Sequence, residues 1–204
     1  MSPSDPRLPK LRLFVAVEVP DSVRAELEEA VAPLRDAVPG LRWTSIEGWH
    51  LTAAFLGAVE PALLPAVETA VGRAAAGSHP FSLRLTGEAG TFPGGVLWAG
   101  VAPAPLLDEL AASLRVRFAA LGRPPDERPF HAHLTLARTG RGSRLPDDLI
   151  ERYAGPSSPW TVRSLALMRS RLAVGGARYE VWREYQLGDA FDPPHLPTDR
   201  TGVR

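Results

Sequence analysis

The sequence predicts an α+β fold with about eight strands and three or four helices. Stretches in which every second residue is apolar, typical of strands, lie between stretches in which apolar residues recur every three or four positions, typical of helices. Some strands follow each other as in hairpins, and others are separated by a helix. A His-Leu-Thr triplet begins one apolar run at His50 and another at His133. This echo suggests a pseudo-duplication, with one triplet in each half of the chain.

The first half of the chain contains clear strand and helix signals. Leu11 to Val19 alternates between apolar and other residues, which predicts a half-buried strand. A helix is predicted next, because Asp21 or Ser22 can cap it and the Pro39-Gly40 pair can end it. The same criteria predict the remaining elements of this half: strands at 41–45, 50–56 and 81–86, and a helix from Pro61 that ends before Gly77.

The second half repeats the order of strand, helix and triplet after a glycine-rich stretch. Residues 87–95 contain several glycines and are predicted to form a loop. The elements predicted after it are a strand at 96–101, a helix from about Pro105 to Gly122, the second triplet strand, a short helix around 146–153, and strands at 160–169 and 178–187 joined by a turn at Gly175-Gly176. Residues 1–188 are expected to form a single domain and residues 189–204 a disordered tail.

The composition is that of an ordinary globular protein, with 45% hydrophobic and 23% charged residues. No apolar run approaches the roughly 20 residues that span a bilayer, and Met1 to Lys10 has no signal-peptide core, so we expect a cytoplasmic protein without a membrane partner. The formal net charge is zero, which gives no support to a general electrostatic preference for nucleic acid. The absence of cysteine excludes thiolate nucleophiles, disulfides and cysteine-ligated zinc.

The two triplets carry the chemistry that the sequence suggests. Residues i and i+2 of a strand point to the same side, so His50 with Thr52, and His133 with Thr135, each present an imidazole and a hydroxyl together. If the two strands face one cleft, these four groups surround a centre that suits a phosphate. Two histidines can divide the roles of general acid and general base, and threonine hydroxyls can stabilise the developing negative charge without a metal ion.

The motifs resemble those of a known group of enzymes. Paired His-x-Thr motifs, followed by Phe55-Leu56-Gly57 in the first and by Leu136-Ala137-Arg138 in the second, are similar to those of the two-histidine (2H) phosphoesterase superfamily. Within it, the chain resembles the RNA 2′,3′-cyclic phosphodiesterase family, also called 2′-5′ RNA ligase. The resemblance covers most of the chain, from Arg12-Leu13-Phe14 through Arg42-Trp43 to Gly176, Tyr179 and the end at Leu187.

The resemblance implies a fold of two pseudo-symmetric α+β lobes around an active-site cleft. By similarity, His50 is the proton donor, His133 is the proton acceptor, and Thr52 and Thr135 bind the phosphate. The implied activity is metal-independent hydrolysis of a terminal RNA 2′,3′-cyclic phosphate, or a cyclic nucleotide, to a 2′-phosphate. In this reaction His133 activates water and His50 protonates the departing 3′ oxygen; reversible 2′-5′ ligation is a related activity. Neither a cofactor nor an obligate protein partner is implied.

Two further residues near the second motif are weaker candidates for substrate binding. His131 shares a side with His133 if the strand already begins there. Arg138 lies on the opposite parity to Thr135, so in a regular strand it would miss the phosphate, and only a bulge would change this. Trp43 and Trp49 near the first motif could stack a base, although burial in the core is the stronger expectation for both.

Two alternatives from other functional classes stay open. His131-Ala132-His133 is a strand pattern that can bind zinc, which would make the protein a zinc-dependent hydrolase, but no third ligand has recognisable spacing. Activity that survives exhaustive chelation would exclude a required metal. The second alternative is a non-catalytic module that binds RNA ends. The intact histidines and threonines argue against it, and binding of a cyclic-phosphate end without turnover would favour it.

Overall fold

The structure, a computed structural model, describes residues 9–123, 128–140, 145–173 and 176–189. The predicted tail lies outside the described residues apart from Asp189, and so does Gly175 of the predicted turn. The elements of the described ranges, in chain order, are β1 (Leu11–Glu18), α1 (Asp21–Ala37), β2 (Arg42–Trp43), β3 (His50–Val59), α2 (Leu64–Ala76), β4 (Phe81–Leu83), β5 (Leu85–Phe92), β6 (Val96–Val101), α3 (Pro105–Ala120), β7 (His133–Arg138), β8 (Trp160–Val162), β9 (Ser164–Ala173) and β10 (Gly176–Gln186). Short 3-10 turns occur at Ile46–Gly48, Pro61–Leu63 and Asp147–Leu149.

Eight of the strands form one antiparallel sheet in the order β10-β9-β1-β3-β7-β6-β5, with β2 paired to β7. Strands β4 and β8 form a separate two-stranded sheet. Antiparallel strands combined with three helices confirm the predicted α+β class.

The large sheet consists of two halves that join at its centre. Strands β3 and β7, which carry the two triplets, are neighbours, and their register pairs Leu51 with Leu134. Strands β1, β9 and β10 continue the sheet on the β3 side, and β6 and β5 continue it on the β7 side. The fold therefore places the two triplets side by side at the junction between the halves.

The hydrophobic core lies on one face of the sheet. Leu13, Val15 and Val17 of β1 belong to the main core cluster, as do buried side chains of all three helices. On the opposite face of β1, Phe14 and Ala16 form a second, small cluster with two residues of β9. Strand β1 is therefore buried on both sides, although its sequence predicts a half-buried strand. The face that carries Phe14 and Ala16 is called the open face below.

The boundaries of several elements differ from the predicted ones, each for a physical reason. Strand β3 continues through Gly57 to Val59, because glycine adopts the positive φ of 68° that this position requires. The strands predicted at 81–86 and 160–169 are each divided, since β4 and β8 leave the large sheet and pair with each other. Helix α1 begins after Pro20 without a side-chain cap, and Asp21 instead forms an ion pair with Arg24 at 3.2 Å.

The largest difference from the prediction is the glycine-rich stretch at 87–95, which belongs to strand β5 up to Phe92 and forms a turn only at 93–95. Strand β5 extends to Phe92 and pairs with β6 across a tight turn. Gly90 lies opposite Trp98 in this pair, and a Cβ atom at Gly90 would overlap with the indole ring of Trp98. Glycine is therefore needed here so that a large ring can lie against the strand, rather than to break the strand.

Candidate active site

His50 is the first residue of β3 and lies in register with Glu18 of β1. Its Nδ1 atom lies 2.7 Å from the carbonyl oxygen of Gly48. Because a carbonyl oxygen only accepts hydrogen bonds, Nδ1 must carry the proton and donate it to Gly48. The Nε2 atom therefore remains available to accept a proton when the ring is neutral, or to give one when the ring is charged.

His133 is held in the same way at the start of β7. Its Nδ1 atom donates to the carbonyl oxygen of His131 over 2.7 Å, again to the residue two positions earlier in the chain. The backbone thus fixes the same tautomer in both histidines, and Nε2 of neither ring has a hydrogen-bond partner among the described residues. The two halves of the chain therefore share an equivalent hydrogen bond, as the suggested pseudo-duplication would lead us to expect.

The pairing of β3 with β7 brings the two triplets into a crossed arrangement. Leu51 and Leu134 are opposite each other in an antiparallel register. One position to either side, this register directs His50 toward Thr135 and Thr52 toward His133. Both leucines are almost completely buried, whereas the two histidines and two threonines are half-buried. Two imidazoles and two hydroxyls therefore share one region of the open face.

His50 is enclosed by aromatic rings of the first half of the sheet. The ring centroids of Phe14 and Tyr179 both lie 4.9 Å from that of His50, and the Tyr179 ring is nearly perpendicular to the imidazole. Burial is the main cause that lowers the pKa of His50 to about 4, and it outweighs the hydrogen bond to Gly48, which favours the charged ring. Smaller contributions come from positive charges nearby.

The charges near His50 include those of His133, Arg138 and Arg24. His133 also has a lowered pKa, mainly because of burial and in smaller part because of the charges of His131 and Arg138. Both imidazoles are therefore neutral near pH 7 in the free protein, and a charge on His133 would lower the pKa of His50 further. A bound anion such as a phosphate would raise both pKa values.

Arg138 lies on the same side of β7 as His133 and Thr135, contrary to the expectation for a regular strand. Thr135 pairs with Trp98, but Ala137 pairs with Leu97, so Leu136 is an extra residue that forms a β-bulge. The bulge reverses the parity of the strand after Thr135 and turns Arg138 to the open face. This position accounts for its electrostatic effect on both histidines.

Strand β3 contains a bulge at the equivalent position. Thr52 pairs with Ala16 and Ala54 pairs with Val15, so Ala53 is the extra residue. Phe55, which is 70% exposed, thereby takes the place in β3 that Arg138 takes in β7. The two halves of the site are alike in backbone but differ in charge at this position.

His131 precedes β7 and its side chain is exposed. Strand β7 begins only at His133, so strand parity does not set the direction of the His131 side chain. Its ring packs instead against Trp98, with centroids 4.9 Å apart, and against Phe92 at 5.4 Å. The backbone carbonyl oxygen of His131 contributes to the site directly, because it accepts the hydrogen bond from Nδ1 of His133.

The other two aromatic candidates, Trp43 and Trp49, pack in or against the hydrophobic core. Trp49 is 1% exposed and belongs to the core, so it cannot stack on a ligand. Trp43 is half-buried against the core, and its Nε1 atom donates to the carbonyl oxygen of Val38. The rings that do surround the histidines come from other strands, and the sequence pattern does not reveal those contacts; only Phe14 and Tyr179 were signalled, as residues that carry the family resemblance.

The described residues contain no group of three or more His, Asp or Glu side chains that could hold a metal ion. His131 and His133, the pair considered for zinc, have ring centroids 6.2 Å apart, and Nδ1 of His133 is engaged by a carbonyl group. In the same described ranges, no helix is both long and apolar enough to cross a membrane.

Comparisons with known proteins agree on one family. The profile of the 2′-5′ RNA ligase superfamily matches residues 19–173. An RNA 2′,3′-cyclic phosphodiesterase of Geobacillus stearothermophilus is 29% identical over 93% of this chain. The aligned region covers 59% of the length of that relative. An RNA 2′,3′-cyclic phosphodiesterase of Archaeoglobus fulgidus is 32% identical over 86% of this chain and 100% of its own.

Among solved structures, Escherichia coli LigT in complex with 3′-AMP is similar, with a TM-score of 0.73 and 28% sequence identity over 88% of this chain and 99% of that one. The shared fold and the profile match confirm the resemblance that the two triplets indicate. Because the matched residues make up well over half of the chain, this protein belongs to the 2′-5′ RNA ligase superfamily of 2H phosphoesterases.

Proposed function

We propose that this protein hydrolyses the terminal 2′,3′-cyclic phosphate of RNA to a 2′-phosphomonoester. The observation that carries the proposal is the matched pair of histidines, each with Nδ1 tied to a backbone carbonyl and Nε2 free on the same open face. Relatives named RNA 2′,3′-cyclic phosphodiesterase that align over most of the chain support the choice of substrate. Cyclic nucleotides present the same reactive group without the rest of the RNA.

The cyclic phosphate would bind between the two triplets. The hydroxyls of Thr52 and Thr135 donate hydrogen bonds to its non-bridging oxygens, where negative charge increases during the reaction. Arg138, turned to the open face by the bulge, adds a positive charge that suits the same oxygens. In this arrangement side chains alone stabilise the transition state, and the proposed reaction needs no metal ion.

The two histidines divide the proton transfers. Nε2 of His133 takes a proton from water, and the water oxygen bonds to phosphorus. The bond from phosphorus to the 3′ oxygen breaks, and that oxygen takes the proton from Nε2 of His50. The 2′ oxygen keeps its bond to phosphorus, so the product is a 2′-phosphate.

This assignment requires His50 to be protonated before the bond breaks, although its pKa in the free protein is lowered to about 4. The negative charge of the bound phosphate compensates for this, because it favours the charged imidazole at short range. Substrate binding and proton uptake are therefore coupled. His133 must stay neutral to act as the base, and the charge of His131 opposes its protonation.

Reversible 2′-5′ ligation uses the same groups with a different nucleophile. If a 5′-hydroxyl takes the place of water, His133 accepts its proton and the product is a 2′-5′ phosphodiester. The proposed partners are accordingly RNA ends or cyclic nucleotides, in the cytoplasm that the sequence predicts, with no obligate protein partner.

The test is to incubate the protein with a nucleoside 2′,3′-cyclic phosphate and with an RNA that ends in a cyclic phosphate, and to assign the products by phosphorus NMR. We expect a 2′-phosphate from both substrates. A 3′-phosphate would contradict the assigned roles of the histidines. Binding of the cyclic end without turnover would instead support the non-catalytic module.

The zinc-dependent alternative is tested in the same assay after exhaustive chelation. The proposed mechanism predicts an unchanged rate, because the proton transfers and charge stabilisation come from side chains. Loss of activity that returns with added zinc would support the alternative through His131 and His133.

A further inference from the structure

We propose that an aromatic surface beside His133, formed by Phe92, Trp98 and His131, binds the nucleobase of a second nucleoside. This is the nucleoside that brings a 5′-hydroxyl to the cyclic phosphate, or that leaves when a 2′-5′ phosphodiester is cleaved. The inference rests on the proposed function, since it extends the same site beyond the phosphate.

The aromatic surface is continuous with the catalytic pair. The rings of Phe92 and His133 are nearly perpendicular with centroids 4.8 Å apart, and the centroid of Phe92 lies 5.3 Å from that of Trp98. Trp98 and His131 are 4.9 Å apart. The three side chains range from half-buried to exposed on the open face, so a planar ligand that reaches His133 also meets them.

The backbone is shaped to hold the largest of these rings. Trp98 packs on Gly90 of β5, where the missing Cβ atom leaves the space that the indole occupies. The ring therefore lies against the strand rather than standing away from it. Such a ring offers a broad surface for stacking at little cost in side-chain freedom, and every nucleobase has a face that can stack on it.

The chemistry determines which nucleoside meets this surface. In phosphoryl transfer the attacking and leaving oxygens lie roughly in line, on opposite sides of phosphorus. The proposed roles place the leaving 3′ oxygen, and with it the terminal nucleoside, next to His50. The attacking oxygen is next to His133, so the nucleoside that carries it lies toward Trp98.

The same two histidines would transfer the protons in both directions. In ligation, the 5′-hydroxyl gives its proton to His133, its oxygen bonds to phosphorus, the bond to the 3′ oxygen breaks, and that oxygen takes a proton from His50. In cleavage, the 3′-hydroxyl gives its proton to His50 and attacks phosphorus. The bond to the 5′ oxygen then breaks, and that oxygen takes its proton from His133.

The test compares cleavage of 2′-5′-linked ApA with that of a matched compound whose second nucleoside lacks a base. We expect the wild-type protein to prefer ApA, and Trp98→Leu to lower the ratio of the two kcat/KM values about 5- to 100-fold, the range expected from loss of one stacking contact. Trp98→Phe should lower the ratio less. The ratio cancels any general effect of the substitution on folding or on the phosphate chemistry.

Trp182→Leu is the matched control, because Trp182 is 40% exposed on β10 and bonded to Glu68 of α2. Its ratio should equal that of the wild type. Equal kcat/KM values for both dinucleotides in the wild type, or a ratio unchanged by Trp98→Leu, would overturn the inference. So would hydrolysis of cyclic phosphate without cleavage of either dinucleotide.

A second measurement needs no turnover and so separates this inference from the proposed function. Adenosine is titrated into the protein while the indole N–H signals are followed by NMR, and the signal missing from Trp98→Leu identifies Trp98. A shift of that signal supports the aromatic surface even if no cyclic phosphate is hydrolysed. No shift at millimolar adenosine refutes it.

Discussion

At the scale of single residues, the two histidines have the same backbone bonds but different surroundings. His50 is enclosed by Phe14 and Tyr179, whereas His133 meets Phe92 and has a second imidazole, His131, close by. Burial lowers the pKa of both rings, so neither is charged near neutral pH without an anion. In the proposed mechanism, the negative charge of the substrate therefore has to create the catalytic protonation state of His50.

The acid and base roles predict severe losses when either imidazole is removed. His50→Ala and His133→Ala should each lower kcat for a nucleoside 2′,3′-cyclic phosphate by about 10²- to 10⁴-fold, the usual contribution of a positioned acid or base. The thermal midpoint at pH 7 should change little, because both side chains are only half-buried and neutral at this pH. His79→Ala, at an exposed position, is the control. Near-normal rates in either variant would refute the assignment.

Arg138 makes a separate prediction through its charge. Arg138→Met should lower kcat/KM about 10- to 100-fold, because charged hydrogen bonds to a phosphate contribute about 1.5–3 kcal/mol. It should also raise the pKa of His133, which the arginine lowers, and so move the acidic limb of the pH profile to higher pH. Steady-state kinetics between pH 5 and 8 measure both effects. Arg163→Met, at an exposed position, should change neither.

At the scale of elements, the two β-bulges decide which side chains face the substrate. Each triplet strand has an extra residue directly after the threonine, at Ala53 in β3 and at Leu136 in β7, and β3 has a second extra residue at Leu56. A strand without the bulge would turn Arg138 toward the core. The shared bulge after the threonine shows that the likeness of the two strands extends to an irregularity of the backbone.

Strand β5 gives a prediction about packing between elements. Gly90→Ala should destabilise the fold by about 1–3 kcal/mol, because the new methyl group overlaps with the indole of Trp98 and forces the ring to move. Gly40→Ala is a matched control, since a Cβ there meets nothing within 4 Å. Urea denaturation measures both. An equal change in the two variants would show that the contact with Trp98 is not the cause.

At the scale of the whole molecule, folding brings together groups that lie 83 positions apart in the chain, since His50 and His133 both begin central strands of one sheet. The halves meet at Leu51 and Leu134, and the helices fill the opposite face. Burying two imidazoles at this junction costs stability whenever the unfolded chain can protonate them. The candidate site should therefore make the free energy of unfolding depend on pH.

The sign of that effect follows from proton linkage. The pKa of His50 is about 4 in the folded protein and near 6.5 in the unfolded chain, so between these values the unfolded chain binds more protons. The free energy of unfolding should fall as pH drops from about 6.5 to 4, and His50→Gln should reduce this fall. Urea titrations at pH 5 and 7 test it, with His79→Gln as the control. An identical pH dependence in His50→Gln and the wild type would contradict the burial of a neutral imidazole.

The sequence alone determined the class of the fold, most of its strands and helices, and the two triplets with their resemblance to a family of phosphoesterases. These features are local: apolar periodicity marks the elements, and strand parity places His50 with Thr52 and His133 with Thr135. The tertiary structure decided the rest. The bulge at Leu136 turns Arg138 to the open face, and Gly90 lies within a strand instead of a loop. Each of these features depends on a partner in another strand. Pairing between strands decides which face of the sheet a side chain lies on and which rings it contacts. A single stretch of sequence does not contain that information.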